Sequence, residues 1–331
     1  MNKQELTSIF ETFNSKNILI IGDVMIDSYM WGKVNRISPE APVPVVSITE
    51  RENRLGGAAN VALNVRALGA KAFLAAVVGD DERGKTFFEL LAKRKLNAKG
   101  IVVSKERPTT VKHRVISDGQ HLLRVDEETD QLLDSLLEKE FIQNTLKIIH
   151  QNDIDAIIFE DYDKGVITPN VIRQIVTVAN AEGIPTLVDP KKRNFNEYNN
   201  VTLFKPNFKE LVEGLKLEIR KNDFDAIQNA AVMLQQKMNI KNILITLSEL
   251  GVFISSNGTY TRIPAQIRDI SDVSGAGDTV IGVATLCLAC NMQPEVIAAI
   301  ANIAGGLVCE KVGVVPVDKE NLLEESIKYF N

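Results

Sequence analysis

Short apolar runs alternate with amphipathic stretches along almost the whole chain, and this rhythm constrains the fold more than any single motif. Ile18–Gly22, Ala72–Val78, Ala156–Phe159, Thr186–Val188 and Ile243–Thr246 read as strands. Ala58–Leu68, Arg83–Leu91, Leu132–Ile149, Pro169–Ala181, Phe224–Met238 and Pro294–Val308 read as helices. Strands fed by helical crossovers build an α/β fold, a mostly parallel sheet with helices on its faces. Two segments break the rhythm. Pro42–Thr49 and Thr109–Val125 are extended and β-rich, with Asp118-Gly119 as a hairpin turn signal. A small sheet acting as a lid and a pair of extra edge strands fit this pattern equally well.

The chain has 331 residues, 45% hydrophobic and 24% charged, enough for one large or two smaller domains with a core that needs no disulfides. Its net charge of −5 disfavours a nucleic-acid partner, so any site for an anion must gather its basic residues locally. Met1–Phe13 reads as a polar amphipathic helix rather than a leader, and no apolar run is long enough to span a bilayer. A cytoplasmic location without a membrane partner is expected. Cys287 and Cys290 are spaced C-x-x-C, but late in an apolar helix, away from the helix start that stabilises a thiolate. No second pair completes a zinc site, so packing is their expected role. His113, His121 and His150 have no metal-like spacing.

Chemistry concentrates in Asp272-Val273-Ser274-Gly275-Ala276-Gly277-Asp278-Thr279, just before the apolar stretch Val280–Ala289. This predicts a helix with a glycine-rich first turn. First-turn N–H groups lack intrahelical partners and bind anions. Gly275, Ala276 and Gly277 are the expected anion hole, the glycines allowing close backbone approach. A carboxylate beside such a site binds phosphate poorly but can serve as base for a hydroxyl attacking it, which makes Asp278 the candidate catalytic residue. The plainer alternative is an acidic first turn that favours the helix dipole.

A second loop competes for the phosphate. Gly79-Asp80-Asp81-Glu82-Arg83-Gly84-Lys85-Thr86 spells a phosphate-loop pattern after a strand and before a helix. Three consecutive carboxylates oppose a polyanion, so a structural turn is expected here instead.

Asp27, at a strand end, can accept two hydroxyl protons, and Asn60 can both donate and accept. Gly56 and Gly57 allow close backbone approach, or form a plain loop before a helix. Asn207 and Glu210, three apart at a helix start, share one face and can orient magnesium; Asn207 also suits a helix N-cap after Lys205-Pro206. Arg36, Lys112, Arg114 and Lys164 are candidates for a substrate phosphate, though each alone reads more readily as a solvated surface charge.

Several of these segments together resemble the ribokinase-like (PfkB) family of small-molecule kinases. Asp272–Asp278 is similar to its late signature, and Gly22-Asp23-Val24-Met25-Ile26-Asp27 to its first strand with a sugar-binding aspartate. Gly56-Gly57-Ala58-Ala59-Asn60 is similar to its glycine pair, and Asn207-Phe208-Lys209-Glu210 to its Asn-x-x-Glu element. Arg36–Val45 and Asp161-Tyr162-Asp163-Lys164-Gly165 resemble, more narrowly, the D-glycero-β-D-manno-heptose-7-phosphate kinases. Ser274 stands where the family usually has threonine, and Glu160 where the heptose kinases often have serine.

The resemblance implies a ribokinase-like three-layer fold, a single kinase domain over residues 1–331 and a β lid at about residues 36–49 and 108–126. It implies ATP and Mg2+, and transfer of phosphate to O1 of the heptose 7-phosphate in ADP-heptose supply for lipopolysaccharide cores. It adds Asp161 to the substrate contacts and Asn207, Thr246, Ser248, Gly251 and Asn302 to the nucleotide contacts. It further implies a homodimer through the lid. The His-x-Gly-His motif of a nucleotidyltransferase domain is not in the chain, so a separate adenylyltransferase acting downstream is expected. A kinase for another sugar phosphate or a nucleoside, and a silent sugar- or nucleotide-binding protein, are the competing readings.

Overall fold

The computed structural model describes residues 1–331. In its first half the elements are α1 (Lys3–Thr12), β1 (Asn17–Gly22), β2 (Val24–Ile37), β3 (Pro44–Gly57), α2 (Ala58–Ala67), β4 (Lys71–Gly79), α3 (Glu82–Lys93), β5 (Asn97–Ser104), β6 (Val111–Ser117), β7 (Gln120–Glu127) and α4 (Ser135–Gln151). There follow β8 (Ala156–Glu160), α5 (Pro169–Ala181), β9 (Thr186–Asp189), β10 (Leu203–Phe204), α6 (Phe208–Leu215), α7 (Phe224–Met238), β11 (Asn242–Thr246), β12 (Val252–Ser256), β13 (Thr259–Ile263), α8 (Ala276–Ala289), α9 (Pro294–Cys309) and α10 (Lys319–Phe330).

Nine strands form one sheet in the order β13-β12-β11-β10-β9-β8-β1-β4-β5, parallel from β5 to β11 and antiparallel at β12 and β13. The central strands are buried on both faces, as a parallel sheet covered by helices requires. Alternation assigns their side chains to two cores. Ala156, Ile158 and Leu187 join the core shared with α2, α8 and α9; Ile157, Phe159 and Val188 join the one shared with α4, α5 and α7. Continuing that period of two, Glu160 and Asp189 come out on the α8 side at the strand ends. The fold thus delivers two carboxylates beneath the helix with the glycine-rich start. No helix is long and apolar enough to cross a membrane.

The segments that break the rhythm form a separate four-stranded sheet, β3-β2-β6-β7. Asp118 and Gly119 make its β6–β7 turn with φ of 49° and 77°, the left-handed pair such a hairpin needs. The sheet is larger than expected. Its strands begin at Val24 and run to Gly57, so Asp27 and the glycine pair belong to it. The helix expected from Leu132 begins at Ser135, because the Asp134 side chain caps it by accepting from the Leu136 and Leu137 amides.

Candidate active site

Two helix starts meet where the sheets adjoin. Gly275 caps α8 in the left-handed conformation, φ 79°, and Asp278 occupies the third helical position, 4% exposed. Gly57 caps α2 with φ 60°, and Asn60 occupies the matching position there. The Asn60 amide donates to Asp278 Oδ2 at 2.7 Å, and the Tyr162 hydroxyl donates to Oδ1 at 2.7 Å. Burial pushes the Asp278 carboxyl above its usual range, and the two donors pull it only part of the way back. The Ala276 amide bonds the Val273 carbonyl at 3.3 Å, so the expected anion hole loses that donor. Gly277 and Asp278 keep first-turn amides without intrahelical partners.

The glycine pair is explained by proximity. A Cβ on Gly56 would strike Asp27 Oδ2, and one on Gly57 would strike the Asp23 carbonyl. Asp27 is buried, and the Arg114 guanidinium lies 2.7 Å from its Oδ1. Burial outweighs that cation and raises the Asp27 pKa. Arg114 and Arg54 also stand over the Tyr29 ring, 5.7 Å and 4.9 Å from its centre. Asp23 accepts three amides, from Tyr162, Lys164 and Val166, at 2.9 to 3.2 Å. It fixes the turn after β8, though complete burial and neighbouring Asp161 push its pKa up to about 6.

Two cations beside the α8 start were not singled out in the sequence. Lys205 pairs with Asp189 at 2.7 Å, and Lys191 lies 2.7 Å from Glu210 and 3.6 Å from Asp189. A Cβ on Gly277 would sit 3.5 Å from Asp189 Oδ2 and 3.8 Å from Lys205 Nζ, so this cluster borders the first turn. Burial pushes Asp189 upward, but the two lysines outweigh it and hold the carboxyl below its usual range. Lys205-Pro206-Asn207 carried a usable signal, a lysine locked between a strand and a capped helix. Glu160 lies beside Asp189, wholly buried, with no hydrogen bond to either carboxylate oxygen. Burial and then Asp189 push its pKa well up.

Other expected residues are placed differently. Arg36 is exposed near the tip of β2, nine residues beyond Asp27, or about 30 Å along a strand. It is not brought to the site in this chain, because β2 runs on past Asp27 to Ile37 and carries it away. Asp161 is buried and accepts from Asn194, Tyr198 and the Asp163 amide, which makes it a brace of the turn and not an available sugar contact. Lys112 and Lys164 do converge, but on a carboxylate. Glu128 lies 3.2 Å from Lys112 and 2.8 Å from Lys164, and Asp126 is 3.3 Å from Lys112. Thr246 and Ser248 flank the end of β11, where Gly251 turns with φ 87°; Ser248 is exposed. Asn302 spends its amide on the Pro264 carbonyl at 3.0 Å.

Asn207 and Glu210 form a capping box, each side chain accepting the other's amide at 2.8 to 2.9 Å. The remaining Glu210 oxygen accepts from Lys191. Both side chains are therefore committed, and no group of three or more His, Cys, Asp or Glu is arranged to hold a metal. These residues do not fit direct magnesium ligation. The competing loop is closed. Asp81 caps α3 at Gly84 and also accepts the Thr109 amide and hydroxyl, all at 2.6 to 2.8 Å. Lys85 lies exposed against Glu82.

Comparison with known proteins bears on the family and the fold. Residues 15–320 match the description "pfkB family carbohydrate kinase". The "Bifunctional protein HldE" of Desulfatibacillum aliphaticivorans is 40% identical over 314 residues, 94% of this chain and 63% of that protein. The protein of the same name from Pelobacter propionicus is 37% identical, covering 95% and 64%. This chain therefore spans just under two thirds of those relatives' length. Among solved structures, Escherichia coli phosphofructokinase-2 superposes with a TM-score of 0.77 at 19% identity, covering 95% and 98%. Arabidopsis thaliana ribokinase, complexed with ribose and ATP, superposes at 0.72 and 17%, covering 93% and 99%.

Proposed function

We propose, from the premise that this chain belongs to the pfkB family of carbohydrate kinases, that it moves the γ-phosphoryl group of ATP to O1 of D-glycero-D-manno-heptose 7-phosphate. The chain is a phosphotransferase with an alcohol acceptor. The heptose assignment draws on the relatives' name and on the narrower motifs around Arg36 and Lys164. The product, a heptose 1,7-bisphosphate, suits ADP-heptose supply for lipopolysaccharide cores. The observation that carries the reading is Asp278, buried where the starts of α2 and α8 meet and held by Asn60 and Tyr162.

Asp278 takes the proton of the O1 hydroxyl as that oxygen attacks phosphorus and the bond to ADP breaks. The Gly277 and Asp278 amides donate to charge on the transferred group, aided by the α8 dipole. Lys205 and Lys191 stand beside that turn to neutralise nucleotide phosphates. Magnesium would neutralise charge on the nucleotide phosphates; Asn207 and Glu210, committed to each other and to Lys191, would reach it only through water. Asp27 accepts sugar hydroxyls, with Arg114 holding it in place. Lys112 and Lys164 take the 7-phosphate, which displaces Glu128 from between them. Dimerisation through the lid is supported by its exposed apolar residues, including Ile37, Val43, Leu123 and Val125.

The test is a panel of heptose 7-phosphate, heptose, fructose 6-phosphate, ribose and adenosine, with ADP release and the position of the new phosphate measured. The heptose phosphate is expected to exceed unphosphorylated heptose by at least about 100-fold in kcat/KM, because unpaired cations are costly when the phosphate is missing. Strong activity on ribose or adenosine, with none on the heptose phosphate, keeps the kinase and discards the heptose.

A further inference from the structure

The Tyr162 hydroxyl is the least expected contact of the site. It reaches Asp278 from the turn after β8, whose three amides are pinned by Asp23. The phenol is thus delivered by a fixed backbone, on the oxygen opposite the one Asn60 holds. We propose that Tyr162 is a positioning residue for phosphoryl transfer, a standing hydrogen-bond donor that keeps Asp278 ionised and aimed at the acceptor hydroxyl. This rests on the reading of Asp278 as the base.

The surroundings make such a donor necessary. Asp278 is buried, and the charges of Asp189 at a strand end and Asp27 on β2 oppose its own, while neighbouring Glu160, its pKa pushed well up by burial, adds no charge as long as it keeps its proton. Lys205 is the cation that favours it. Hydrogen bonds to the charged form offset the burial. Burial, and after it the Asp278 charge, push the Tyr162 phenol well up, so the proton stays on the tyrosine. Tyr162 therefore donates without taking part in proton transfer. The Lys191 ammonium stands 5.4 Å from the ring centre, so the same ring that bonds the base also borders a nucleotide-side cation.

The test is Tyr162→Phe, which keeps the ring and removes the donor. The Asp278 titration is followed by carbon-13 carboxyl NMR in the substrate-free protein, assigned with Asp278→Asn. The acid limb of kcat/KM is measured in parallel on the best acceptor of the panel. Both midpoints are expected to rise by about one pH unit, the size of one lost donor, with the acceptor KM within about threefold. A tyrosine that merely fills the acceptor's seat would instead give a lower KM and an unmoved acid limb, which overturns the proposal. An unmoved NMR midpoint overturns it too. A shifted NMR midpoint with an unmoved acid limb removes Asp278 as the base and, with it, the role of Tyr162, while the panel result for the substrate stands. If the phenylalanine variant folds poorly, 3-fluorotyrosine at position 162, a more acidic donor, is expected to lower both midpoints.

Discussion

Two glycine-containing loops in this chain each open a helix, and each spells an anion-binding pattern. They differ in where their polar groups are spent. In Gly79–Thr86, Asp81 takes the Gly84 amide and both donors of Thr109. A Cβ on Gly84 would strike the Gly79 carbonyl, so that glycine serves close packing. In Asp272–Thr279, Asp272 accepts from Ser274 and Gly313 and holds the loop open, leaving the Gly277 and Asp278 amides free and two lysines alongside. Partner accounting distinguishes a phosphate cradle from its likeness; the letters do not.

The largest expected effect lies at the second loop. Asp278→Asn should fold normally and lose about 10²–10⁴ in turnover, the contribution of a positioned acid–base group. Near-normal turnover would remove Asp278 from the mechanism.

The first loop should answer in stability instead. Asp81→Ala is expected to cost about 1–3 kcal/mol in denaturant unfolding, because it strips a cap and orphans the Thr109 donors. Burial raises the Asp81 pKa, but those hydrogen bonds outweigh it, so the folded value is depressed. Its stabilisation is present above the unfolded pKa of about 4 and fades as pH falls through the lower folded value, so the gap to the parent should close there. A variant that loses turnover more than stability would make this loop functional.

Glu160 marks a further contrast, since a buried unpaired carboxyl lies beneath the second loop only. Its raised folded pKa means stability is full below the unfolded value of about 4.5 and declines as pH rises toward the folded value. Glu160→Gln removes that decline, so its melting temperature relative to the parent should climb as pH rises above about 4.5. A pH-independent difference would mean that Glu160 is charged in the folded protein. The smallest effect is expected from Lys85→Ala, with nucleotide affinity and turnover within about threefold. A true phosphate lysine would lose on the order of 100-fold in affinity.

Local chemistry was legible before any coordinates. Helix starts at Ala58, Pro169 and Ala276, the Asp118-Gly119 hairpin and the alternating layers all follow from residues close in sequence. Pairings across long separations were not. Nothing near Lys112 in sequence announces that Glu128 will bring it together with Lys164, and nothing near Tyr162 announces Asp278, 116 residues away. That Asp27 and Arg36 lie far apart on one 14-residue strand was not legible either, because β2 is set by its pairing with β3 and β6. Glu210 looked free for a metal because its bond to Lys191 belongs to the end of another strand.

The central claim is that phosphate binds the start of α8 and leaves the Gly79 loop untouched. Backbone amide NMR during titration with a non-hydrolysable ATP analogue and magnesium tests it most directly. The account predicts large shifts at Gly275, Gly277 and Asp278, with Gly84 and Lys85 unmoved. Shifts concentrated at Gly79–Lys85, with Gly277 and Asp278 unmoved, would contradict it.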